Sequence, residues 1–195
     1  MMTLPLNCEA WYERDFLGLE DAAALFAEIT DNYDVTNKVV PMADGTEFVA
    51  DTGAFLFANA ELLSYEKFPA AWGGRAPWPE RLASVRERIE EVVGIRFQVA
   101  RCVYYRDGTE GVDFHVDEPA YGSTEVIASL SLGAEREFGL RSLTDPEDEF
   151  RIILGHGSLL YMGKHCQSRY EHALFHSGSC TEHRINLTFR RYGWE

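Results

Sequence analysis

Arg184-Ile185-Asn186-Leu187-Thr188-Phe189-Arg190 reads as one β-strand with two unlike faces. Side chains two residues apart on a strand point the same way. One face therefore presents Arg, Asn, Thr and Arg, and the other presents Ile, Leu and Phe to a core. Two guanidiniums on an inward-facing strand make a site for carboxylates through bidentate hydrogen bonds. A half-exposed edge strand with solvated arginines is the plainer reading of the same letters. Asn186-Leu187-Thr188 also spells a glycosylation sequon, which matters only in a secreted chain.

Upstream of this strand, strand-like runs recur at short intervals: Phe97–Tyr105, Thr124–Leu132, Glu137–Leu143, Phe150–Leu154, Ser158–Met162 and Tyr170–Phe175, with Arg184–Tyr192 closing the series. Turn residues such as Asp107-Gly108 and Asp145-Pro146-Glu147-Asp148 separate them. Such a series points to a jelly roll or a related sandwich. The first half is mixed. Leu19 to Tyr33 carries Ala23, Phe26 and Ile29 at helical spacing, with Glu20 and Asp21 suited to a helix start. A second helix has Pro79 at its first position, a stripe of Leu82, Val85, Ile89, Val92 and Val93, and Gly94 as its cap. Each helix has one apolar and one charged face, so both are expected outside a sheet. Between them, Met42 to Trp78 is rich in Gly, Pro and aromatics and reads as short strands and loops.

The chain has 195 residues, 46% hydrophobic and 26% charged, as in ordinary globular proteins. Met1 to Phe16 is too charged for a signal peptide, and no apolar run is long enough to span a membrane. Cys8, Cys102, Cys166 and Cys180 lie far apart without a C-x-x-C pair, which fits a reduced cytoplasm. The formal net charge is -14. Nucleic-acid binders neutralise phosphates with Lys and Arg, so this balance disfavours a polyanion as partner, although net charge averages over faces.

His115-Val116-Asp117 carries the second chemical signal. In an extended strand His115 and Asp117 converge on one ion while Val116 packs in the opposite layer. A His-x-Asp pair with a distant second His is the three-ligand set of non-haem Fe(II) oxygenases. Three coordination positions remain for a bidentate 2-oxo acid and O2. His156, His165, His172, His176 and His183 are the candidates for the second His. His172 lies in a strand-like run, whereas His156 sits in a Gly-rich turn; spacing alone does not choose among them.

Taken together, these motifs resemble the AlkB family of Fe(II)/2-oxoglutarate dioxygenases, most clearly from about Trp78 to Arg191. The resemblance rests on Trp78-Pro79-Glu80-Arg81-Leu82, Tyr105-Arg106-Asp107-Gly108 and His115-Val116-Asp117. It continues through Ile127–Ala134, Gly155–Leu160 and His183–Arg190. It implies a mainly β, α+β fold, a double-stranded β-helix (jelly roll) buttressed by N-terminal helices. One oxygenase domain would fill 1–195, with a helical and substrate-covering segment over 1–77 and the jelly-roll core over 78–195. It makes His115, Asp117 and His172 the iron ligands. Arg184 and Arg190 would bind the 2-oxoglutarate carboxylates, with Asn186 and Tyr105 adding hydrogen bonds. The implied cofactors are Fe(II), 2-oxoglutarate and O2. The implied reaction is hydroxylation of a C–H bond with release of succinate and CO2. On a carbon bonded to nitrogen, the hemiaminal would collapse and complete a demethylation.

The departures concern substrate. Val103 stands where relatives place an Asn that helps to hold 2-oxoglutarate. Pro119, beside Glu118, stands where nucleic-acid demethylases carry an acid, and Thr46–Phe57 holds no counterpart of their Pro-Arg segment. A small-molecule or nucleoside-like substrate is therefore the expectation. An alkylated base in DNA or RNA is the alternative, with a methylated protein side chain beside it, and a non-catalytic binding module is a reading of another class. Asp117 argues against a halogenase, which lacks that carboxylate. Lesser signals are Asp51-Thr52-Gly53, an aspartic-protease tripeptide without its second copy, and Gly155-His156-Gly157-Ser158, a hydrolase-like fragment without the G-x-S-x-G elbow. His165, Cys166, Cys180 and His183 match no common zinc spacing. Trp72, Trp78, Phe55 and Phe57 fit core packing better than base stacking. Oligomeric state is not legible in the sequence.

Overall fold

A computed structural model of the chain describes residues 1–41, 44–64, 68 and 73–193. The N-terminal part contributes β1 (Met2–Thr3), β2 (Ala10–Glu13), α1 (Leu19–Asn32), β3 (Val39–Pro41), β4 (Glu47–Val49), β5 (Gly53–Ala58) and β6 (Gly74–Pro77). Then come α2 (Glu80–Val93), β7 (Val99–Tyr105), β8 (Val112–His115), β9 (Ile127–Gly133) and β10 (Arg136–Ser142). The chain finishes with β11 (Glu149–Leu154), β12 (Ser158–Met162), the one-turn α3 (Cys166–Arg169), β13 (Tyr170–Leu174) and β14 (Arg184–Arg190).

The strands build two facing sheets. The large one has the order β1-β2-β12-β9-β14-β7-β5-β6 and the small one β11-β10-β13-β8. This is the jelly roll with N-terminal helical buttress expected from the sequence. All seven expected strands form, with ends moved by at most three residues. The N-terminal segment does more than cover the roll: β1, β2, β5 and β6 all join the large sheet. β3 and β4 form a separate antiparallel ribbon. Trp72 and Met42 lie outside the described residues.

The alternation read in β14 decides which face goes where. Ile185, Leu187 and Phe189 are fully buried in a core with Ala22, Leu25 and Ile29 of α1 and Leu82, Val85 and Ile89 of α2. Truncating such a leucine to alanine costs about 2–5 kcal/mol, from lost apolar contact plus the cavity left behind. Both helices thus pack on the outer face of the large sheet. The inward stripe of α1 is Ala22, Leu25, Ile29, one residue off the expected Ala23, Phe26, Ile29. Ala23 is exposed and Phe26 only half-buried, because Ala22 and Leu25 meet the sheet more squarely. On α2, Pro79 caps the helix instead of starting it, and Val92 is exposed. Gly94 ends that helix in the left-handed conformation at φ 71, as a cap glycine should.

Two smaller cores lie between the sheets. One gathers Ile127, Phe138, Leu140, Leu160, Met162 and Tyr170, and the other gathers Leu56, Ala58, Phe68, Val99 and Tyr121. The inner faces of β14, β7 and β9 are left lining the space between them. Arg136, buried at the start of β10, donates to the carbonyls of Asp107, Glu110 and Phe175. That clamp fixes the loop before β8 against the end of β13, and so sets the strand pair that carries the histidines. The aromatic residues fall to packing. Phe55 and Phe57 meet Tyr33 tilted and edge-on, while Trp78 lies parallel to Phe189 with its indole N–H on Asn59.

Candidate metal and dicarboxylate site

β8 and β13 are antiparallel, and His115 and His172 are register partners, which puts their rings 4.3 Å apart. β8 ends at His115, so Asp117 reaches the pair from the following loop. Val116 is consequently exposed, not packed in the opposite layer as an unbroken strand would have it. The backbone N–H of Asp117 donates to Gln167 Oε1 at 3.0 Å, which holds the loop to α3. One Asp117 carboxylate oxygen lies 3.6 Å from His172 Nε2, and the other pairs with Arg190. The ligand atoms of His115, Asp117 and His172 all fall within 4.8 Å of one another, the one such cluster among the described residues.

The other histidines are engaged elsewhere. His156 accepts the Gly133 N–H, a turn contact, and His176 and His183 lie against the Thr109 and Arg106 carbonyls. His165 takes φ 71 ahead of α3. The zinc reading does not assemble: Cys166 Sγ lies 2.7 Å from Cys8, and Cys180 contacts the Glu182 carbonyl.

Electrostatics favour metal ligation. Burial pushes the pKa of His172 down to about 4 against the pull of Asp117, so its ring is neutral at physiological pH. His115 Nδ1 lies 2.8 Å from the Asp113 carbonyl, a contact that places the proton on Nδ1 and leaves Nε2 free to ligate. Burial opposes the Asp117 charge, but Arg190, His172 and His115 outweigh it and lower the pKa. Two neutral imidazoles and an ionised carboxylate are the donor set that suits iron(II).

Beyond the triad, the inner face of β14 lines a cavity of about 150 Å³. Arg184, Asn186, Thr188 and Arg190 all reach it, together with Tyr105, Ser129 and Val103. Arg184 is 1% exposed and, among the described residues, has no carboxylate partner. One terminal nitrogen donates to Ser131 Oγ at 2.9 Å, and its Nε is buried with no partner. Burial lowers its pKa to about 10, so it stays charged at neutral pH. A buried cation without a counter-ion is costly unless a ligand completes it. The orphaned donors of Arg184 therefore fit a carboxylate. Tyr105 packs under the Arg184 guanidinium at 5.4 Å, and burial keeps its phenol protonated, a donor toward the same place. Asn186 Oδ1 accepts from Ser129 Oγ, which leaves its amide N–H groups for an acceptor.

The seven residues assigned to iron and 2-oxoglutarate, His115, Asp117, His172, Arg184, Arg190, Asn186 and Tyr105, thus line one cavity. Missed were Ser129, Ser131 and Arg101, whose signal was the same alternation as in β14, on Ile127–Leu132 and Val99–Tyr105. Gln167 and Arg136 act through the backbone of distant loops and carry no sequence signal.

A family model described as the 2OG-Fe(II) oxygenase superfamily matches residues 11–190. Alpha-ketoglutarate-dependent dioxygenase alkB homolog 3 of Rattus norvegicus is 40% identical over 122 residues, 58% of this chain and 41% of that protein. DNA oxidative demethylase ALKBH2 of Mus musculus is 35% identical over 125 residues, 59% of this chain and 52% of that protein. The chain spans less than half the length of the alkB homolog 3 relatives that it matches. The solved structure of OsALKBH1 aligns with a TM-score of 0.69 at 14% identity, covering 96% of this chain and 100% of that one, a likeness of fold alone. The family model spans nearly the whole described chain, and the chain belongs to the 2OG-Fe(II) oxygenase superfamily; the relatives it resembles are named as alkB homologues.

Proposed function

We propose that this protein is an AlkB-type dioxygenase that hydroxylates a substrate C–H bond while converting 2-oxoglutarate and O2 to succinate and CO2. The observation that carries the reading is the pairing, in one cavity, of the His115–Asp117–His172 cluster with the buried, counter-ion-free Arg184. His115, Asp117 and His172 hold Fe(II), and Arg184 and Arg190 take the two carboxylates of 2-oxoglutarate, assisted by Asn186 and Tyr105. Bound Fe(II) supplies O2 activation coupled to decarboxylation of the 2-oxo acid. Ser131 and Asn186 orient Arg184; Gln167 fixes the loop that carries Asp117; Leu154, Met162, Phe138 and Leu174 keep the cavity wall apolar and exclude water. Where the oxidised carbon is bonded to nitrogen, the product loses its alkyl group as an aldehyde.

The substrate is a small molecule. The cavity is small, and the surface of a chain with charge -14 repels a polyanion. A second reading, removal of alkyl groups from nucleic-acid bases, is favoured by the relatives named DNA oxidative demethylase ALKBH2. The test is succinate formation on addition of Fe(II), 2-oxoglutarate and O2. It is expected in the wild type and absent in a folded His115→Ala variant; equal succinate from both overturns the ligand set. Binding to methylated oligonucleotides that weakens steeply with salt would replace the first substrate reading by the second.

A further inference from the structure

We infer that Arg101 anchors an anionic group of the substrate, so that the substrate is a small acid: a carboxylate or phosphate monoester that carries the reacting C–H bond. The inference deepens the reading above and rests on it.

Arg101 lies on the inner face of β7, opposite Thr188 of β14 on one side and Leu56 of β5 on the other. It alternates with Val103 and Tyr105 and lines the same cavity as the triad. Among the described residues its guanidinium makes no ion pair and no hydrogen bond, and its Nε is buried without a partner. Of the other buried arginines, Arg190 has Asp117 and Arg136 has backbone carbonyls; Arg184 shares the lack of a carboxylate, and the cosubstrate answers it. A chain with 32 acidic against 18 basic residues does not lack carboxylates to place beside a half-buried cation.

Charge counting leads to the same conclusion. The charged residues lining the cavity are Arg101, Arg184 and Arg190 against Asp117 alone. A divalent metal and a dicarboxylate cosubstrate cancel each other, so the surplus of positive charge survives their binding. Arg184 and Arg190 serve the cosubstrate and Asp117, which leaves Arg101 as the cation without an assignment. A partly desolvated guanidinium binds carboxylate or phosphate oxygens through paired, charge-assisted hydrogen bonds. Val103, between Arg101 and Tyr105 on the strand face, offers an apolar surface for the carbon skeleton. Placing the anionic head at Arg101 also gives one fixed orientation, which oxidation of a single C–H bond requires.

The experiment compares matched pairs that differ only in the anionic group: N-alkylated amino acids against their amides, and alkylated nucleoside monophosphates against the nucleosides. Succinate formation above the substrate-free background is measured with wild type, Arg101→Leu and Arg101→Lys, alongside an anaerobic 2-oxoglutarate titration of each. The acidic member of at least one pair is expected to stimulate turnover about tenfold over its neutral partner. Arg101→Leu should raise KM for that acid by about thirtyfold, and Arg101→Lys should recover part of the loss. The 2-oxoglutarate midpoint should stay within about twofold of wild type. Equal stimulation by neutral and acidic members overturns the proposal, as does a thirtyfold loss of 2-oxoglutarate affinity in Arg101→Leu, which would make Arg101 a cosubstrate ligand. Stimulation by methylated oligonucleotides alone, unaffected by Arg101→Leu, overturns it too. If the wild type binds no 2-oxoglutarate at all, the oxygenase reading itself fails, a result distinct from all of these.

Discussion

The two arginines that bound β14 stand on the same face of the same strand in opposite electrostatic situations. Arg190, at the metal end, pairs with Asp117 and also donates to the Glu118 carbonyl, so its charge is answered within the chain. Arg184, at the deep end, has Ser131 and Asn186 for neutral company and an Nε with no partner. At the metal end the opposite charges are already paired before any ligand arrives, although the Nε of Arg190, like that of Arg184, has no partner among the described residues. The deep end is complete only with an anion. Affinity for a dicarboxylate should therefore depend most on Arg184, while Arg190, which takes the second carboxylate, also secures the metal loop through Asp117.

Substitutions can break that contrast. The largest effect belongs to His172→Ala, which removes one of three ligands; Fe(II) affinity should fall by more than about a hundredfold, read by equilibrium binding of the metal. Next is Arg184→Met. It should weaken 2-oxoglutarate binding by at least about thirtyfold, while the metal-free protein melts at the same or a higher temperature because an uncompensated buried cation is gone. Arg190→Met should do the reverse to stability. It leaves Asp117 buried without its cation, and breaking such a pair costs about 3–5 kcal/mol, measured by denaturant unfolding. If both variants shift stability alike, the contrast between the two ends is wrong. Gln167→Ala frees the Asp117 loop and should lower metal affinity about tenfold without changing the 2-oxoglutarate midpoint at saturating Fe(II). Val103→Asn has the smallest effect. Val103 is the register partner of Asn186, and one added hydrogen bond there should tighten 2-oxoglutarate by about threefold to tenfold.

The same two faces explain what could be read from the letters. Strict alternation in Arg184–Arg190 is a local, period-two signal, and the outer-face burial of Ile185, Leu187 and Phe189 follows from it. His115 and Asp117 were legible as a spaced pair. The choice of His172 among five histidines was not, because it depends on the register of β13 against β8, a long-range pairing no local pattern encodes. Val116 was misplaced for a related reason: the strand stops at His115, where Gln167 takes over the Asp117 N–H. The stripe of α1 slipped by one residue because several alanines and two large apolar residues make adjacent faces nearly equivalent. β5 sat in a Gly- and aromatic-rich stretch that hid its place between β7 and β6. Its six residues are buried on both sides, so it shows no alternation.

One measurement tests the central claim most directly: anaerobic titration of 2-oxoglutarate into the Fe(II)-loaded protein, followed by the visible metal-to-ligand charge-transfer band. A saturable band at one equivalent in the wild type, with a midpoint moved far upward in Arg184→Met, is the expected result. A folded wild-type protein that binds Fe(II) and shows no band, or an Arg184→Met variant that titrates like the wild type, would contradict the account.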